Sequence, residues 1–303
     1  MTTDMTTDTH DERKNNFEIA HVTVLGTGVL GSEIAYQTAY SGFAVTAYDI
    51  SEEILEAAKT RFEALATRFE NEVNGAAGGR AQAALTRISY SSDLTDAVHD
   101  ADLVIEAVPE ILDLKRDVYK HLGQVAPERT IFATNSSTLL PSQMADSSGR
   151  PDRFLAMHFA NKIWIHNTAE MVGDPCTDPA VYQTVVAFAR RIGMEPIELH
   201  KEHPGYVLNA LAVPWMGAAL KLLIRDIADP ETIDKTWRID KEAPEGPFQN
   251  MDRVGLKTVY DIYAASDDEE LRAAANYVKE HYIDKGKLGQ PTGEGFYRYP
   301  AAT

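Results

Sequence analysis

One cysteine, Cys176, is all that the 303 residues contain. A single thiol closes no intramolecular disulfide, so the fold is not a stapled one and a reducing compartment is expected. Long apolar runs are missing as well, which excludes a helix that spans a bilayer. The N-terminus is polar and acidic where a secretion signal needs basic residues followed by an apolar core. Cationic excess is absent too: 29 Lys and Arg stand against 46 Asp and Glu, a formal net charge of −17. That balance argues against nucleic acid and against anionic membrane surfaces as partners. The expectation is a cytoplasmic protein that acts on a small-molecule substrate. The same charge sets a requirement, because a polyanionic ligand would have to be met by positive charge concentrated locally.

What is present is the composition of a globular protein, 44 % hydrophobic and 25 % charged, long enough for two domains. Residues 1–16 repeat Met-Thr-Thr-Asp and offer almost nothing to bury, so a disordered tail is expected there. The informative stretch follows. Val22, Val24 and Leu25 form a short apolar run suited to a buried strand, and Gly26, Gly28 and Gly31 continue it with G-x-G-x-x-G spacing. In a dinucleotide site the first glycine turns the chain, the second admits a pyrophosphate, and the third lets the helix pack close to the strand. The helix N-terminus then holds the phosphates. A helix from Ser32 and a second strand from Val45 to Tyr48 supply the required context, and Asp49 lies 18 residues past Gly31. A carboxylate there binds a ribose 2′-OH and repels a 2′-phosphate, which predicts NAD as cofactor.

The chain continues as an α/β pattern. Ser51 caps a long helix with apolar positions Leu55, Ala58, Phe62, Leu65 and Phe69, broken by a Gly-rich run and followed by a short helix, Arg80 to Leu85. This helix–loop–helix insertion carries Lys59, Arg61, Arg68, Arg80 and Arg87, either a solvated face or a binding surface for an acidic ligand. Further strands are expected at residues 88–90, 102–106, 130–134, 154–157, 168–172 and 196–199. The third of these six runs into Asn135-Ser-Ser-Thr138, whose hydroxyls serve as a helix cap or reach a substrate. His158 ends the fourth, with Glu170 twelve residues on. Oxidising an alcohol releases a proton with the hydride, and histidine suits its removal at neutral pH; a carboxylate can fix the imidazole tautomer. A structural histidine is the plainer alternative. From residue 201 strands give way to helices. Asn209 sits on a strongly apolar one, where it needs either an interhelical hydrogen bond or a substrate. The expected domains are a Rossmann-type unit over 17–200 and an all-helical unit over 201–303.

Together these segments resemble the 3-hydroxyacyl-CoA dehydrogenases. The resemblance rests on the glycine loop, Glu106-Ala-Val-Pro-Glu110 with Lys115, Asn135-Ser-Ser-Thr138, His158-Phe-Ala-Asn161, Glu170, Asn209, Gly246-Pro-Phe248, Asp252-Arg-Val-Gly-Leu256 and Thr292-Gly-Glu-Gly-Phe-Tyr297. It implies NAD-dependent oxidation of an L-3-hydroxyacyl-CoA, such as 3-hydroxybutyryl-CoA, within fatty acid metabolism. His158 would be the base, Glu170 its support, and Ser137 and Asn209 the groups on the substrate oxygen. Asp49 would hold the adenosine ribose, and Glu110, Lys115 and Asn161 would line the nicotinamide side. The helix–loop–helix would receive CoA, the helical domain would form a homodimer, and no metal is implied. Departures bear on substrate recognition: Lys162-Ile-Trp-Ile-His166-Asn167 replaces a proline and small apolar residues, and Ala210, Lys257 and Pro291 replace an arginine, an aspartate and a lysine. These departures support an alternative substrate, a free 3-hydroxy acid as in carnitine or gulonate dehydrogenases. A non-catalytic NAD-binding protein is the remaining reading.

Overall fold

The computed structural model describes residues 18–299, so the expected tail over 1–16 lies outside the described residues. The chain divides into two compact units, one ending at Tyr206 and the other beginning at Val207, a few residues beyond the expected change at 201. The first alternates β1 (His21–Leu25), α1 (Val29–Tyr40), β2 (Ala44–Tyr48), α2 (Glu52–Glu72), α3 (Arg80–Leu85), β3 (Ile88–Ser91), α4 (Leu94–Val98), β4 (Leu103–Glu106), α5 (Leu112–Val125) and β5 (Ile131–Thr134). β6 (Phe154–Phe159), β7 (Thr168–Gly173), α6 (Pro179–Arg191) and β8 (Glu195–Glu198) complete it. Helix starts follow their capping chemistry. Ser51 accepts from Ile54 N–H, Asp93 from Asp96 N–H and Asp178 from Ala180 N–H, the last with proline at the first helical position. α4, which the apolar pattern did not announce, is a five-residue helix that rests on this cap.

The strands form one sheet in the order β3-β2-β1-β4-β5-β6-β7-β8, parallel throughout except between β6 and β7. The order reverses between β1 and β4, which opens the crevice where ligands of such sheets bind. Helices cover both faces. Tyr36, Phe62, Phe69 and Phe188 fill the core on one side; Tyr119, Phe132 and Phe154 fill the other. Each such ring contributes about 1.5–3 kcal/mol by leaving water.

The second unit is helical: α7 (Leu208–Ile224), α8 (Pro230–Asp240), α9 (Pro247–Val254), α10 (Leu256–Ala264) and α11 (Glu269–His281). Its core gathers Leu220, Phe248, Val259, Tyr263 and Val278. Asp252, fully buried, accepts from Phe296 N–H, Tyr297 N–H and the Tyr299 hydroxyl, all at 2.9 Å, and so ties down the terminal Gly-Phe-Tyr segment. α7 is not enclosed on every side: Met216 and Leu220 are buried, whereas Leu211 is 69 % exposed. Among the described residues no helix is long and apolar enough to cross a membrane.

Candidate active site

The glycine loop turns out of β1 at the switch point. Gly26 has φ +92°, and a Cβ there would lie 2.6 Å from the Ala107 carbonyl oxygen at the end of β4. Gly31 falls inside α1, not before it, and its Cβ would meet the Gly26 carbonyl oxygen at 1.9 Å. Gly28 differs: a Cβ there would touch nothing in the protein. The backbone there is open to an external group, which is what a pyrophosphate over the α1 N-terminus requires. Thr27 donates its N–H (2.7 Å) and hydroxyl (2.8 Å) to Asp49 Oδ2, fixing that carboxylate at the end of β2. A cavity of about 310 Å³ opens beside the loop, lined by Gly28, Gly31, Val108, Lys115, Asn135 and Ser137 among others. These residues fit NAD.

Beyond the cavity stands a polar triad of positions. Antiparallel pairing sets His158 directly opposite Glu170, so both side chains project from the same face. Each is only 4 % exposed. A carboxylate only accepts, so the His158 Nδ1–H donates to Glu170 Oε2 (2.9 Å) and leaves the Nε2 lone pair outward. There the Ser137 hydroxyl donates to it at 3.1 Å. His158 is the fifth residue of β6, inside the strand and not beyond its end, which gives the ring a rigid base. Nε2 is thus set to exchange a proton with a bound hydroxyl.

The loop carrying Ser137 is held by one carboxylate. Glu110 Oε1 accepts from the Ser136 hydroxyl (2.5 Å), Ser137 N–H (3.0 Å), Thr138 N–H (2.8 Å) and the Thr138 hydroxyl (2.9 Å). Its other oxygen lies 3.2 Å from Lys115 Nζ. Burial would raise the Glu110 pKa, but the Ser136 hydrogen bond, the Lys115 charge and Thr138 outweigh it and hold the group at about 2, against 4.5. A carboxyl depressed on folding contributes stability above its ordinary pKa, and that contribution is lost as pH falls through the folded value. A Glu110→Gln variant should therefore melt below the parent at neutral pH, with the gap closing between pH 4.5 and about 2. Melting temperature against pH measures this; a gap constant with pH would refute it.

Lys115, expected beside nicotinamide, is 1 % exposed and pairs with the fully buried Glu106 at 2.6 Å. Asn135 is anchored through its Oδ1, which accepts from Phe159 N–H (2.9 Å). Asn161 is exposed just after β6. Asn209 is half-buried at the second residue of α7, in the other unit, and not in the apolar enclosure expected from its helix. Four of the five basic residues of the insertion have partners within the fold. Lys59 pairs with Glu56, Arg61 donates to the Thr27 carbonyl (2.9 Å), Arg80 lies over the Tyr40 ring and Arg87 donates to the Ala83 carbonyl.

A switch-point crevice with a glycine loop and a buried, carboxylate-supported histidine defines an NAD-binding oxidoreductase site. Comparison with known proteins names its kind. Residues 21–203 match the NAD-binding domain of 3-hydroxyacyl-CoA dehydrogenase and residues 205–299 its C-terminal domain. The mitochondrial hydroxyacyl-coenzyme A dehydrogenase of Rattus norvegicus is 34 % identical over 288 residues, 93 % of this chain and 91 % of that protein. A probable 3-hydroxybutyryl-CoA dehydrogenase of Bacillus subtilis is 32 % identical over 94 % of this chain and 99 % of its own length. Among solved structures, a diketoreductase studied for its dual catalysis of dicarbonyl compounds is 65 % identical, with a TM-score of 0.90 over 93 % of this chain and 99 % of that one. The chain belongs to the 3-hydroxyacyl-CoA dehydrogenase family. It is an NAD-dependent oxidoreductase of that family.

Proposed function

We propose that the protein interconverts a 3-hydroxyl and a 3-oxo group, with His158 as general base in oxidation and general acid in reduction. The observation that carries this reading is the buried Glu170–His158–Ser137 chain of hydrogen bonds. Bound at the glycine loop, NAD supplies the hydride acceptor. As the C3–H bond breaks, His158 Nε2 takes the hydroxyl proton, and Glu170 supports the imidazolium through Nδ1–H. Ser137 then turns its hydroxyl to the substrate oxygen as that oxygen becomes a carbonyl. Asp49 holds the adenosine ribose, and Glu110 with Lys115 borders the nicotinamide side. The resemblance adds Asn161 to the cofactor contacts and Asn209 to the substrate contacts. A homodimer in a cytoplasmic setting completes the reading, supported by exposed Leu211 and Leu222 on α7.

Two substrate classes follow from different observations. A free 3-oxo or dicarbonyl compound is favoured by the likeness to the diketoreductase and by the insertion's electrostatics: α2 carries six glutamates against Lys59, Arg61 and Arg68. Such a helix repels the phosphates of a CoA carrier. An L-3-hydroxyacyl-CoA, such as 3-hydroxybutyryl-CoA, is favoured by the names of the 32–34 % identical relatives. Steady-state NADH oxidation with acetoacetyl-CoA, acetoacetate, dehydrocarnitine and a neutral dicarbonyl ester separates them. The free compounds should exceed the thioester in kcat/KM by at least about tenfold. The reverse order would reinstate the thioester, and inactivity on all four would sink the proposed interconversion of 3-hydroxyl and 3-oxo groups.

A further inference from the structure

Two hydrogen bonds hold the His158 imidazole at its opposite nitrogens, whose N–H and lone pair are directed in the ring plane. They resist sliding within that plane far more than tilting out of it. A third contact acts on the face. The Tyr206 ring stacks on the imidazole with centroids 4.8 Å apart and planes 19° from parallel. Tyr206 is 2 % exposed and packs with Ala156 of β6, Val172 of β7 and Leu199.

Its backbone is unusual. Tyr206 sits at φ +52°, directly after Gly205 at φ +79°, and its N–H donates to the His203 carbonyl (2.9 Å) to close the turn. A bulky side chain in the left-handed region is strained, and such strain persists where the surroundings over-determine it, most often at functional sites. The phenol oxygen, moreover, is buried and has no hydrogen-bond partner. A hydrogen bond is therefore not what holds the residue in place; the ring is. Burial first, then the surrounding carboxylates of Glu110, Glu170, Glu202 and Glu106, push the phenol pKa up and keep it neutral beside the histidine.

We propose that Tyr206 is a positioning residue for His158, its ring locked by the left-handed turn so that it fixes the plane of the imidazole. This rests on the reading of His158 as the proton-transferring group. The geometry needs an aromatic face and makes no use of the hydroxyl. The out-of-plane constraint keeps Nε2 aimed at a substrate hydroxyl, and small misplacements of such a group are costly in rate.

Tyr206→Phe and Tyr206→Leu in the full chain test it, with Tyr206→Met in place of leucine if that variant does not fold. In the parent and Tyr206→Phe, the His158 ring protons should show the upfield NMR shift of a stacked aromatic. In Tyr206→Leu that shift should be lost and the ring signals should broaden or divide. Leucine should lower kcat about 10- to 100-fold and leave the NADH dissociation constant within about twofold, while phenylalanine restores kcat to within about threefold. The proposal falls if leucine keeps parental kcat once the ring shift is gone, or if phenylalanine is as impaired as leucine. If the parent itself oxidises no NADH with any substrate, the reading of His158 as base fails. The NMR comparison still decides the positioning role: unchanged, single His158 signals in Tyr206→Leu would overturn it.

Discussion

A His158→Ala variant should bind NADH as the parent does and lose about 10²–10⁴-fold in kcat, the usual contribution of a positioned general base. The expectation has two parts because the site has two parts. In the proposed reading the glycine loop, the α1 N-terminus and Asp49 hold the cofactor, and His158 touches none of them. Proton exchange is assigned in that reading to one lone pair, Nε2 of His158, which Glu170 and Ser137 only orient. Glu170→Gln adds the complementary result. An amide opposite Nδ1 can donate as well as accept, so the imidazole is no longer confined to the tautomer that leaves Nε2 unprotonated. A fall in kcat in the same range as His158→Ala, with NADH affinity again preserved, is expected. Parallel loss of NADH binding and turnover in both variants would instead make the pair a structural one.

The legible parts of this protein were those with local periodicity. The glycine spacing, the Ser51 cap and the apolar stripe of α2 are written in neighbouring residues, and the structure reproduces them. The pairing of His158 with Glu170 was readable because two adjacent strands joined by a short connection put a particular pair opposite, and the cross-strand register does so here. Burial of charge was not readable. Lys115 looks like an ordinary helix cation until the packing of α5 on β4 brings it against Glu106. Glu110 gains its role from four donor groups on three residues 26 to 28 positions away, which no window on the sequence detects. α4 was not announced because its five residues complete little more than one turn and rest on the Asp93 cap. The stack of Tyr206 on His158 joins residues 48 positions apart, and Tyr206 makes it from a positive φ, which a tyrosine does not advertise.

The Lys115–Glu106 pair also sets the largest expected change in stability. Both side chains are essentially inaccessible to water, with Nζ and Oε1 2.6 Å apart. Glu106 further accepts from Val108 N–H (2.9 Å), the Thr134 hydroxyl (2.8 Å) and the Tyr119 hydroxyl (3.1 Å). Neutral donors orient the carboxylate but do not cancel its charge. Lys115→Ala removes the cation and strands a carboxylate in the core, at a cost of about 3–5 kcal/mol. The urea midpoint should fall accordingly, and the loop around Ser137 should loosen, because Glu110 loses the same ammonium. The double variant Lys115→Met with Glu106→Gln removes both charges while keeping volume and hydrogen-bonding shape. It should recover most of the lost stability, since replacing a buried pair by neutral groups is often close to neutral. If Lys115→Met with Glu106 retained is as stable as the double variant, the loss in Lys115→Ala comes from packing of the lysine stem and not from the orphaned charge. NADH affinity separates the two jobs of this lysine: stability restored in the double variant without restored affinity would mean that the ammonium also serves the cofactor site that its buried partner helps to shape.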